Sequence, residues 1–119
     1  MKSFERGDLS EKIALDFLES RGLRLVTSNY HSRYGEIDLV MRDKNTLVFI
    51  EVRYRRRKQF GGAAMSVTPT KQRKIALTAL QFLQKNHKTE HQCRFDVVAI
   101  SEAETEWIKS AFNNPLEPS

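Results

Sequence analysis

Asp38 and Glu51 are the residues whose type and spacing most readily suggest chemistry. Asp38 lies in Gly35-Glu36-Ile37-Asp38-Leu39-Val40-Met41, where polar and apolar residues alternate. Glu51 lies in Thr46-Leu47-Val48-Phe49-Ile50-Glu51-Val52-Arg53, rich in β-formers. Arg42-Asp43-Lys44-Asn45 between them is turn chemistry. A two-residue loop at Lys44-Asn45 and a four-residue loop from Asp43 to Thr46 give one register. It sets Asp38 opposite Glu51 and Glu36 opposite Arg53, with opposed Cβ atoms about 5 Å apart. The other face then carries Ile37, Leu39, Val48, Ile50 and Val52 toward a core, and a one-residue slip would bury the charges. Two opposed carboxylates repel unless a cation, a shared proton or a basic neighbour compensates. Oxygen donors suit Mg²⁺ or Mn²⁺, which polarise phosphoryl oxygens and acidify water. The plainer reading is a solvated hairpin face balanced by Arg33, Arg53 or Arg55.

Basic residues follow directly. In Arg53-Tyr54-Arg55-Arg56-Arg57-Lys58, five of six side chains are basic. Arg55, Arg56, Arg57 and Lys58 are candidates to track a phosphate backbone, with Tyr54 or Phe60 placed to stack on a base. The alternative is an ordinary solvated strand end. Lys71, Gln72, Arg73 and Lys74 begin a helix, where positive side chains oppose the dipole and an anion would relieve the cost. Lys71 and Arg73 are therefore further nucleic-acid candidates, against the alternative of a basic solvent face. His31, His87 and His91 sit in polar stretches and read as surface residues. Asp96 alternates with Phe95 and Val97, and the pattern does not place it.

The elements that must position these groups follow from periodicity. A helix is predicted from about Asp8 to Arg21, with Leu9, Ile13, Ala14, Phe17 and Leu18 as its apolar stripe and Gly22 as its stop. Glu11 lies at the border of that stripe. Leu23 to Tyr30 reads as a strand, Asn29 to Arg33 as a turn, then come the two strands of the hairpin. Phe60-Gly61-Gly62-Ala63-Ala64 is the expected mobile loop. Thr68 and Pro69 open a second helix running to about Lys85 and burying Ile75, Ala76, Ala79, Leu80 and Leu83. Arg94 to Ile100 and Trp107 to Phe112 read as strands, with a frayed tail over 113–119. The order predicts a single α/β domain over 1–112, a mixed central sheet of four to five strands flanked by helices.

Composition sets the boundaries. The 119 residues are 39% hydrophobic and 29% charged, which is globular. The net charge of +5 favours polyanionic partners, nucleic acid first. Cys93 is the single cysteine, which excludes an intrachain disulfide and a cysteine-rich zinc site. No apolar run reaches the roughly 18 residues of a membrane span, and the first residues lack a signal-peptide core. The expected location is the cytoplasm.

Gly35-Glu36-Ile37-Asp38, followed after twelve residues by Glu51-Val52-Arg53, resembles the Asp…Glu-x-Lys core of restriction-endonuclease-like nucleases. With Gly7, Glu11, Phe49-Ile50-Glu51-Val52, Phe60-Gly61, Lys71 and Arg94-Phe95-Asp96-Val97-Val98, the chain from about 7 to 112 resembles the YraN-type family of small bacterial proteins. That family is regarded as related to archaeal Holliday-junction resolvases. The resemblance implies a restriction-endonuclease-like fold, with Asp38 and Glu51 as ligands of Mg²⁺ or Mn²⁺ and Glu11 approaching from the first helix. It implies branched or structured DNA as partner, and makes a homodimer plausible because such relatives cut two strands symmetrically. Glu36 would support the site and Arg53 would hold the scissile phosphate. Arg53 departs from the pattern's lysine: it can grip a phosphate bidentately but cannot act as a base near neutral pH. Lys71 or Lys58 could supply the ammonium. The alternative is a nucleic-acid-binding accessory protein that keeps the nuclease fold without turnover.

Overall fold

A computed structural model of the protein describes residues 3–55, 67–88 and 92–117, giving only the backbone course for 3–8. Helix α1 (Ser3–Ser20) precedes three strands, β1 (Arg24–Ser32), β2 (Gly35–Asp43) and β3 (Thr46–Tyr54). Helix α2 (Pro69–Lys85) leads to β4 (Gln92–Ile100) and β5 (Thr105–Phe112). The five strands lie in sequence order. All neighbours are antiparallel except β3 and β4, which α2 joins as a parallel pair. The result is a mixed sheet with one helix on each face, as the order of elements predicted and consistent with an α/β nuclease-like fold.

Local chemistry explains the helix limits. Leu23 N–H bonds Leu18 C=O and Gly22 N–H bonds Glu19 C=O, a Schellman closure with Gly22 at φ 97°. A side chain there would be strained, so glycine ends the helix. At the start of α2, Thr68 Oγ1 accepts from Lys71 N–H at 3.2 Å and Pro69 occupies the first turn.

Each sheet face has its own core. Facing α2, Val40, Leu47, Phe49, Phe95 and Val97 meet Ile75, Ala76, Ala79, Phe82 and Leu83. Facing α1, Leu39, Met41, Val48, Ile50 and Val98 meet Ala14 and Leu18. Two predicted stripes are corrected by this packing. On α1 the buried column is Ser10, Ala14 and Leu18, while Leu9 and Ile13 are exposed. On α2 Phe82 is buried and Leu80 is exposed. Both stripes were wider in sequence than the arc a helix can press against a sheet. Past β5, where fraying was expected, Leu116 packs against the α2-facing core. No described helix is long and apolar enough to cross a membrane.

Phe49 lies at the centre of the α2-facing core, with ring centroids 6.0 Å from Phe82 and 5.7 Å from Phe95. It is almost wholly buried, so truncation leaves a cavity among rigid neighbours. Phe49→Ala should lower the free energy of unfolding by about 3–5 kcal/mol in urea titrations. A loss below about 1 kcal/mol would show that this ring does not organise the core.

Candidate functional site

The β2–β3 pairing runs from Asp43↔Thr46 to Leu39↔Ile50, the register derived from the sequence. Extended one step, it sets Asp38 across from Glu51. There the ladder gives way to a side chain: Val52 N–H donates to Asp38 Oδ2 at 2.8 Å. Asn29, the β1 residue facing Asp38, has a left-handed backbone with φ 52°. Side-chain alternation in β2 also changes phase at Asp38. Ile37 packs in the α2-facing core, whereas Leu39 packs toward α1. The expectation that Ile37 shares a face with Leu39, Val48, Ile50 and Val52 is therefore corrected. A regular strand would have required it, but the strand is not regular at the aspartate.

Four carboxylates interact around this break. Asp38 is pushed up from 3.8 to about 7. Burial is the largest cause, followed by the negative charge of Glu51; the Val52 N–H opposes them, and Glu11 and Glu36 add smaller repulsions. Glu51 is 8% exposed and bears two cations, Lys71 Nζ at 3.3 Å and Arg53 Nε at 4.0 Å from Oε1. Glu11 stands half-buried on α1. Glu36 Oε1 lies 3.6 Å from His31 Nε2. The structure thus brings Asp38, Glu51, Arg53, Glu11 and Glu36 into one electrostatic neighbourhood. It also brings in Lys71, one of the two lysines expected to supply the ammonium, from the first turn of α2, which packs over β2.

A second aspartate shows what a merely structural carboxylate looks like here. Asp96 is wholly buried at the irregularity between β4 and β5, and Ser110 N–H donates to its Oδ1 at 2.9 Å. Its other lone pairs are also used: Arg94 Nε lies 3.0 Å from Oδ1, and Trp107 Nε1 donates to Oδ2 at 2.9 Å. Asp38 plays the same backbone role but is surrounded by acids where Asp96 has an arginine and an indole. Fold maintenance accounts for Asp96. It leaves the acidic company of Asp38 unexplained.

Not every basic candidate joins the site. Arg55 is a correction: its side chain is buried, Nη2 donating to Glu106 Oε1 at 2.8 Å, and its N–H closes on Ile100 C=O. The end of β3 is tucked against β4 and β5, so this arginine is consumed internally. Arg73 is exposed on α2 and faces solvent. His87 is exposed in the turn after α2. Arg56, Arg57 and Lys58, with Phe60, the paired glycines and His91, lie outside the described residues. Among the described residues, no three His, Cys, Asp or Glu side chains form a ready-made metal cage. Asp38 and Glu51 would supply two protein oxygens, a number that fits Mg²⁺, which keeps water and phosphate ligands.

The raised pKa of Asp38 makes a signed prediction. Because the folded carboxyl holds its proton more tightly than the unfolded one, its contribution to stability is greatest in acid. That contribution is lost as pH rises from about 4 through about 7. Asp38→Asn stays neutral and keeps an oxygen for Val52 N–H, so its stability relative to wild type should grow over that window. Melting curves from pH 5 to 8 in chelator-treated buffer test this, and parallel curves would contradict it.

Comparison with known proteins places the chain by descent. The pattern of the Uncharacterised protein family UPF0102 matches residues 10–100. A UPF0102 protein of Psychromonas ingrahamii is 50% identical over 112 residues, covering 92% of this chain and 91% of the relative. One from Nitrosococcus oceani is 45% identical over 113 residues, covering 91% of each. The YraN protein of Escherichia coli is 50% identical over 112 residues, covering 92% and 86% respectively. On this agreement across nearly its whole length, the chain belongs to the UPF0102 family.

Proposed function

We propose that this protein is a metal-dependent nuclease-like protein that binds and cleaves the backbone of structured or branched DNA. The observation that carries the proposal is the mutual repulsion of Asp38 and Glu51 where two strands part, with Lys71 and Arg53 beside Glu51. A hard divalent cation, Mg²⁺ or Mn²⁺, bound there would polarise a phosphoryl oxygen and acidify an attacking water. Asp38 and Glu51 would hold it. Glu11 and Glu36 deepen the negative potential that attracts the cation, the same potential that without a cation holds a proton on Asp38. Lys71 stands beside Glu51, where the ammonium can neutralise charge developing on the phosphate. It takes the part played in the resembled pattern by a lysine two residues beyond the glutamate. Arg53 is left to grip a phosphate oxygen pair. Arg73, on the exposed side of the same helix, extends the positive surface away from the carboxylates.

Arg53 is also the residue that favours the other reading, an accessory protein that binds without cutting. Cleavage of four-way junctions, flaps, single strands and duplexes with Mg²⁺ or Mn²⁺ separates the two. We expect metal-dependent cutting, reduced at least about 10²-fold by Asp38→Asn or Glu51→Gln and about 10-fold or more by Lys71→Ala. No cleavage of any substrate, with salt-sensitive binding intact in all variants, would overturn the catalytic proposal in favour of the accessory one.

A further inference from the structure

The turn end of the β2–β3 hairpin holds positive charge that the carboxylate site does not use. Arg24 and Arg42 are direct cross-strand partners, so their side chains leave the sheet on the same side. Both are exposed, and with Gly22 and Lys44 they line one small cleft. Lys44 also lines a neighbouring cleft with Arg21, Trp107 and Lys109, so the two concavities are continuous in charge. Among the described residues, Arg21, Arg24, Arg42 and Lys44 take part in no ion pair. The nearby carboxylate is spoken for: Asp43 Oδ2 is held by Arg94 Nη1 at 2.9 Å. The carbonyl end of α1 gives Arg21 partial compensation, and Arg21 also stacks on Phe17 at 4.7 Å. Nothing comparable serves Arg24 and Arg42. Like charges placed directly opposite one another on adjacent strands destabilise a sheet. Folding alone gives no reason for the pair.

We infer that this end of the sheet is a second contact surface for a nucleic-acid backbone, with Arg24, Arg42 and Lys44 at its centre and Arg21 at its border. The inference rests on the nucleic-acid reading given above and adds a substrate consequence to it. Arg42 is four residues along β2 from Asp38, about 14 Å at strand rise. At about 3.4 Å of helix axis per phosphate along one strand, that distance is about four phosphates, so a continuous backbone must be at least that long to engage both places. Phosphates at Arg24 and Arg42 would remove their mutual repulsion and release counterions, making binding steeply dependent on salt.

Binding of a four-way junction across a salt series tests this with Arg24→Ala/Arg42→Ala beside wild type. The double variant should bind about 10-fold more weakly near 0.1 M salt, with the log–log salt slope shallower by about 2. Its melting temperature without DNA should be no lower than that of wild type, because a repulsive pair has been removed. Equal affinity and equal slope would overturn the inference, as would loss of binding to anionic lipid vesicles with DNA binding unchanged. Asp38→Asn in the same series keeps the two proposals apart. If wild type never cuts but the arginine variant still loses slope, the nuclease reading fails and this surface stands.

Discussion

Much of this molecule depends on a hydrogen bond from the Val52 N–H to the Asp38 carboxylate at 2.8 Å. In a regular hairpin a backbone carbonyl would take that N–H. Substituting a side chain lets β2 and β3 part while the donor stays satisfied, as a buried backbone group demands. Beside the parting, Glu51 meets Lys71 from the first turn of α2 and Arg53 from its own strand. The parting also changes the phase of β2, so that Ile37 and Leu39 serve different cores. One carboxylate thus shapes the strand and, by the same bond, is held beside its acidic neighbours.

That arrangement costs stability. Burial and repulsion from Glu51 lift Asp38 to about 7, so near neutral pH the folded chain either keeps a proton there or tolerates concentrated negative charge. The β4–β5 irregularity solves the same backbone problem without this strain, by giving Asp96 an arginine and an indole. The fold therefore has a quiet way to use a carboxylate at a break in the sheet, and does not use it at Asp38. Strain of this kind, concentrated at one spot, is a feature of acids at functional sites.

Much of the framework was legible in sequence because local chemistry sets it. Thr68 and Pro69 fix the start of α2, Gly22 fixes the end of α1, and Lys44-Asn45 fixes the hairpin register that sets Asp38 across from Glu51. What sequence could not supply came from contacts distant along the chain. Sequence offers Lys71 and Lys58 alike for the ammonium; only the chain's return through α2 brings the Lys71 ammonium to 3.3 Å from Glu51. Arg55 read as a phosphate contact until its neighbour across the sheet, Glu106, was known. Leu9, Ile13 and Leu80 fit helical stripes and still face solvent, because periodicity gives the apolar side of a helix but not how much of it the sheet covers. The phase change at Asp38 has no marker in β2 itself. Asn29, a residue type tolerant of left-handed backbone, hints at it from the neighbouring strand.

The proposed function turns on whether Asp38 and Glu51 together hold a divalent cation. Crystals soaked in Mn²⁺ and measured at the manganese absorption edge test it without depending on the choice of nucleic acid. A shared cation gives an anomalous peak within about 2.5 Å of a carboxylate oxygen from each residue. That peak should be absent in Asp38→Asn crystals treated identically. No peak between the two carboxylates at millimolar Mn²⁺, or one that persists unchanged in Asp38→Asn, would contradict it.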